Sequence, residues 1–210
     1  MPRTTRHGHL ARRTAIGLGV ALLALVIAVP ATSAATAKTK LASIRSNGTQ
    51  GNGNSENASI SGDGRYVAFE SYATRLVHND TNGERDIFVH DRKTGKTTRV
   101  SIRSNGTQGN NGSYDPSISG NGRYVAFESA ATNLVQNDTN GMEDVFLHDR
   151  KTGKTTRVSK RSNGTQGNGE SVYVSISGNG RYVAFESDAS NLVKNDTNDD
   201  EDVFQRGPIH

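Results

Sequence analysis

The chain has 210 residues, a formal charge of +4, 32% hydrophobic residues and 23 glycines, with no cysteine or tryptophan. That length fits one ordinary domain, and the glycine content suits short strands joined by turns better than helices. The lack of cysteine excludes a disulfide framework, a cysteine zinc site and a lipid-modified cysteine.

The first 37 residues differ from the rest. Arg3, Arg6, Arg12 and Arg13 precede an apolar run over residues 15–29, Pro30 ends it, and Ala35-Thr36-Ala37 follows. A basic start, an apolar middle and an A-x-A site are the order of a secretory signal peptide, expected over residues 1–37. The run is shorter than the roughly 20 residues that cross a bilayer as a helix. The Arg12-Arg13 pair fits a twin-arginine signal. The mature chain is therefore expected outside the cytoplasm: extracellular, periplasmic or associated with the cell wall. A membrane would be met only through an uncleaved leader. Of 25 Lys and Arg against 21 Asp and Glu, four Arg and no acid lie in the leader, leaving 21 of each. The basic excess belongs to the leader, so no nucleic-acid partner is expected.

Residues 38–210 are three copies of one unit. Arg45-Ser46-Asn47-Gly48-Thr49-Gln50 recurs from Arg103 and Arg161, and Gly64-Arg65-Tyr66-Val67-Ala68-Phe69-Glu70-Ser71 recurs from Gly122 and Gly180, at a constant offset of 58. The repeats run over about 44–101, 102–159 and 160–207. In the middle copy, Ser117-Ile118-Ser119 reads as a short strand and Gly120-Asn121-Gly122 as a tight turn. Residues 123–129, rich in β-formers, read as a buried strand. Residues 144–149 read as a third strand, 151–154 as a hairpin turn and 155–159 as a fourth strand. Four antiparallel strands without helical periodicity are the content of one β-propeller blade. A β-solenoid repeats every 20–30 residues, which a 58-residue unit disfavours.

The fold class is thus all-β: a propeller-like array of three four-stranded blades. Thr39-Lys40-Leu41-Ala42-Ser43 matches Thr97-Thr98-Arg99-Val100-Ser101. It is a fourth strand without its own blade, expected to complete the last one. Propellers have four to eight blades, so three leave an open arc, a strained ring, or a head-to-tail homodimer of six blades.

Ser61-Gly62-Asp63-Gly64-Arg65-Tyr66-Val67-Ala68-Phe69 resembles the Ser-x-Asp-Gly-(Lys/Arg)-x-(Ile/Val)-Ala-Phe signature of TolB-type, WD-repeat-like propeller repeats, with Asn121 and Asn179 replacing Asp63 in the later copies. The resemblance covers residues 38–206 and implies a propeller in a secreted bacterial protein. It is poor for function, since such propellers serve as scaffolds, binding modules and enzyme accessory domains. TolB's N-terminal α/β domain is not matched, so its Pal-type partners are not carried over.

The loops after Asn79, Asn137 and Asn195 are the candidate metal sites. They bring Asp80, Asn82 and Asp86, then Asp138, Asn140 and Asp144, then Asp196, Asn198, Asp200 and Asp202. Short oxygen-bearing side chains on a tight loop can ligate Ca²⁺, although no distant bidentate Glu follows. The competing reading is turn capping by Asp and Asn. If metal binds, the third loop, with most charge, binds it tightest. His90 and His148, with Gln205 taken as their counterpart, read as strand surface. Glu70, Glu128 and Glu186 read as structural, pairing with neighbouring Arg. The Arg-Ser-Asn-Gly-Thr-Gln stretches read as solvated connections between blades. They hold sequons such as Asn105-Gly106-Thr107, which matter only in a glycosylating host. No Gly-x-Ser-x-Gly elbow is present, and near-identical copies offer little of the asymmetry that separates catalytic pKa values. The expected function is a secreted, non-enzymatic scaffold for a protein or glycan ligand, rigidified by Ca²⁺. The alternative is an extracellular polysaccharide hydrolase or lyase.

Overall fold

The structure, a computed structural model, describes residues 36–209, so the expected leader lies outside the described residues except for its last two. Eleven strands follow one another: β1 (Ser55–Ile60), β2 (Tyr66–Ser71), β3 (Asp86–Asp91), β4 (Thr97–Arg99), β5 (Ser113–Ile118), β6 (Tyr124–Ser129), β7 (Asp144–Asp149), β8 (Lys154–Arg157), β9 (Ser171–Ile176), β10 (Val183–Ser187) and β11 (Asp202–Arg206). They form antiparallel meanders in sequence order: β1 to β4, β5 to β8, and β9 to β11. These are three successive propeller blades. The first two have four strands and the third has three.

Local chemistry sets the hairpins. Between β1 and β2, Gly64 takes a left-handed φ of +68°, and the Asp63 carboxylate accepts from the Arg65 N–H and the Ser61 hydroxyl. Arg65 then clamps Asp91, donating from Nε and Nη2 at 2.9 and 2.7 Å. Arg123 holds Asp149 in the same way. The clamps hold both aspartates well below the usual carboxylate range. The (Lys/Arg) position of the repeat signature is thus the staple between the β1–β2 turn and the end of β3.

Alternation along the middle strands feeds two interfaces. Ala68, Ile87 and Val89 leave one face of the first blade and meet Ile118, Val125, Phe127 and Phe146 of the second. Ala126, Val145 and Leu147 meet Ile176, Val183 and Phe185 likewise. Each blade carries a stacked phenylalanine pair, on the second and third blades facing the preceding one, with centroids 5.9, 6.0 and 5.8 Å apart. β6, between two blades, is buried along its whole length, which is why its sequence reads as a continuous apolar run. Fully burying each such side chain contributes about 1.5–3 kcal/mol.

Polar contacts repeat across both junctions. The Gly62 N–H donates to Gly120 O at 2.9 Å and the Gly120 N–H to Gly178 O at 2.8 Å. The Ser113 N–H donates to Arg85 O and the Ser171 N–H to Glu143 O, both at 2.9 Å. β1 lies against β5, and β5 against β9, so these three are the inner strands.

Two expectations are corrected here. Residues 39–43 form no strand and do not complete the third sheet; Ser43 O instead accepts the Gly51 N–H. The inner strand also begins earlier than the sequence suggests, at Ser113 rather than Ser117, because a bulge interrupts its alternation.

Candidate functional site

The aspartate loops are closed by protein side chains. Asp80 and Asp86 converge on the Arg99 guanidinium from β4, with Nη1 3.2 and 3.1 Å from their oxygens. Gln108, on the strap that leads into the next blade, donates Nε2 to both at 2.9 Å. Ser101 Oγ donates to Asp86. The Asn82 amide donates to Gly109 O at 3.1 Å, and its oxygen accepts the Glu84 N–H at 3.2 Å. The second copy repeats this. Arg157 Nη1 lies 3.3 and 3.0 Å from Asp138 and Asp144, Gln166 bonds both, and Asn140 bonds Gly167 O. Burial raises the carboxyl pKa of Asp86, opposed by Ser101 and Arg99, and raises that of Asp138 with help from Asp144.

These residues are thus engaged by protein partners rather than arranged as a ring of free ligand oxygens. The charge between the carboxylates is a guanidinium; both oxygens of Asp86 and Asp144 accept from Arg, Gln or Ser donors, and Asp80 and Asp138 accept through Oδ1. Through Gln108 and Gln166 the loops clasp one blade to the strap of the next, while residues 104–107 and 162–165 of those straps stay exposed. The Arg, Ser and Gln partners were missed, although all recur at the repeat spacing of 58. In the third loop, Asp196, Asn198, Asp200 and Asp202 have no side-chain hydrogen bond or ion pair among the described residues. No group of three or more His, Asp or Glu side chains placed to hold a metal ion occurs among the described residues.

The histidines are not on the strand surface. His90 and His148 are buried, with Nδ1 3.0 and 2.9 Å from the hydroxyls of Thr97 and Thr155. Burial, helped by Arg150, pushes the His148 pKa down to about 4. The register opposite Val67, Val125 and Val183 makes Arg206 their counterpart, not Gln205.

The inner strands carry the feature that the sequence concealed. Each has a bulge, and the bulged residue is a non-glycine in the left-handed region: Asn57 at φ 48°, Asp115 at 45° and Tyr173 at 52°. Such strain clusters where function needs a side chain re-aimed. Glu70 accepts the Asp115 N–H at 2.8 Å and pairs with Arg85. Glu128 accepts the Tyr173 N–H. Each glutamate thus steadies the bulge of the following blade. Glu143 stands where Arg85 stands one repeat earlier, so Glu128 has no ion pair among the described residues, and burial with Asp115 pushes its carboxyl up to about 7. Asn57 Nδ2 donates to Asp115 Oδ1 at 2.6 Å. Asn57, Asp115 and the exposed Tyr173 border a shallow cleft of about 440 Å³.

No protein-family model matches the chain, and a search of curated proteins finds no match. Among solved structures, TolB from Acinetobacter baumannii is similar at 17% identity over 74% of this chain and 30% of that one, with a TM-score of 0.44. A putative TolB from Agrobacterium tumefaciens is 18% identical over 73% of this chain and 46% of that one, at 0.44. The β-propeller domain of the Trilobed protease from Pyrococcus furiosus, described as having an open velcro topology, is 11% identical over 75% of this chain and 44% of that one, at 0.40. The chain spans less than half the length of each. At these scores the propeller assignment rests on the blades themselves.

Proposed function

We propose that this protein is an exported, non-enzymatic propeller-blade scaffold that takes a protein or glycan ligand at its inner-strand bulges. One observation carries the reading. The middle strands are YVAFES in the first two repeats and the same residues recur in the third, whereas the inner strands read SENASI, SYDPSI and SVYVSI. Three consecutive inner-strand positions, 56–58 and their counterparts, differ in all three repeats, and the middle one of each is the strained residue that borders the cleft. An exposed tyrosine beside an amide and a carboxylate suits the apolar face and hydroxyls of a sugar ring.

Affinity electrophoresis through gels containing soluble extracellular polysaccharides tests it. Retardation by at least one of them is expected, weakened about fivefold by Tyr173→Ala, the worth of roughly 1 kcal/mol of aromatic contact. Equal retardation of both proteins would move the ligand off this face. N-terminal sequencing of the released chain, expected to begin at Lys38, tests export.

One observation favours a hydrolase or lyase: a Glu128 carboxyl near 7 lies in the range of a general acid. Against it, Glu128 already accepts the N–H groups of Tyr173 and Val174. Release of reducing ends from a retarding polysaccharide would establish the enzyme reading. The arginine clasp speaks against Ca²⁺ in the first two loops, so a calcium-induced thermal shift is expected to originate at Asp196 and Asp202.

A further inference from the structure

Equivalent side chains have opposite exposure at the two ends of the blade array. Ile87 and Val145 are fully buried, yet Val203, at the same position of the third blade, is 75% exposed. Ile118 and Ile176 are 6% and 9% exposed, yet Ile60 on the first blade is 57% exposed. Inside the chain these positions meet: Ile87 packs with Ile118, and Val145 with Ile176. The two exposed surfaces are the two halves of a junction that the chain builds twice internally.

The hydrogen-bonding groups are complementary too. Within the first two blades, where the third strand meets the segment after it, the Val100 and Val158 N–H groups donate to Ile87 O and Val145 O, and the Ile87 and Val145 N–H groups donate to Ser101 and Ser159 hydroxyls. Ala42 and Ser43 are the same positions one repeat earlier. Gln50, counterpart of Gln108 and Gln166, makes no side-chain hydrogen bond among the described residues, and Asp196 and Asp202, counterparts of the aspartates those glutamines hold, likewise make none. One end carries donors, the other acceptors.

We propose that two copies of this chain join head to tail, residues 40–43 of one copy becoming the fourth strand of the other's third sheet. The inner face of one copy then continues into the next, so the bulge cleft is extended across the junction. The interface is heterologous: each copy uses a different surface. Two features make it weaker than the internal junctions, as suits one formed after folding. Gln205 stands where Val89 and Leu147 are buried, and Leu41 stands where Arg99 and Arg157 neutralise the aspartate pairs. This inference does not rest on the ligand reading.

Light-scattering mass over a dilution series, on chain purified from a secreting host, tests it. A mass of two or more chains falling to one on dilution is expected. Val203→Asp and Ile60→Asp alter exposed side chains, so each is expected to keep the wild-type circular dichroism and stay single at concentrations where wild type associates. Mixed in equal amounts, they retain one intact pair of surfaces and are expected to give a two-chain species that neither forms alone. Leu41→Arg, restoring the guanidinium, is expected to lower the dissociation constant about tenfold, the worth of one charge-assisted hydrogen bond. A single-chain mass for wild type throughout, association of Val203→Asp like wild type, or a mixture that stays single overturns the proposal.

Discussion

Replacing Arg157 by Met tests whether a guanidinium is the counter-ion of the aspartate clasp. Arg157 donates to Asp144 at 3.0 Å, lies 3.3 Å from Asp138, and donates to Asn137 O at 3.0 Å. The three side chains are 8%, 0% and 3% exposed. Methionine keeps the aliphatic packing of the stem but leaves two carboxylates in a dry site without a cation. Breaking one partner out of such a buried pair costs about 3–5 kcal/mol, a large share of the roughly 5–15 kcal/mol that holds a domain. Urea unfolding, followed by circular dichroism, reads it as a fall of about 2 M in the midpoint at an m-value near 2 kcal/mol/M. Adding Asp144→Asn to Arg157→Met removes one stranded charge and should recover part of the loss. Arg75→Met, at an exposed arginine, should stay within about 0.5 kcal/mol. If Arg157→Met costs no more than this control, the clasp does not depend on the guanidinium.

The stacked turns give a paired test. A β-carbon on Gly120 would lie 2.8 Å from Gly178 O, whereas one on Gly178 meets nothing within 4 Å. Gly120→Ala should therefore cost about 1–3 kcal/mol by overpacking, and Gly178→Ala should stay within about 0.5 kcal/mol in the same unfolding assay. Two buried groups set opposing pH dependences. Glu128, raised to about 7, keeps a proton in the folded chain that the unfolded chain releases above about 4.5, so its stabilisation is full at low pH and lost as pH rises through 7. His148, lowered to about 4, stays neutral when the unfolded imidazole charges below about 6.5, so its contribution is full above that value and lost as pH falls towards 4. Glu128→Gln keeps an acceptor for the Tyr173 N–H and should exceed wild type in stability at pH 8 by on the order of 2 kcal/mol. An unchanged pH profile would place the carboxyl in water.

Local pattern carried much of the architecture. The period of 58 and the strand over 144–149 were legible because turn residues and β-formers act over a few positions, and β7 spans those six residues. The turn before β6 was legible for the same reason, Gly122 holding the left-handed φ. What failed was whatever depends on a neighbouring strand or blade. The aspartate loops were read as ligand-bearing because oxygens at short spacing are visible in sequence. Their actual partners, an arginine 13 residues past Asp86 and a glutamine 22 residues past it, become neighbours only when the strap folds back. His90 and His148 were read as surface because a strand's outward face looks polar in sequence, yet each turns its ring towards a threonine of the adjacent strand. The bulges were hidden because one extra residue breaks the period of two on which strand reading depends. Sequence by itself thus determined the repeat, its strands and its turns, which are short-range preferences. Tertiary structure alone decided which charges neutralise one another and which side chains the bulges aim into the cleft, because the first depends on how strands and loops meet within a blade and the second on distances between blades.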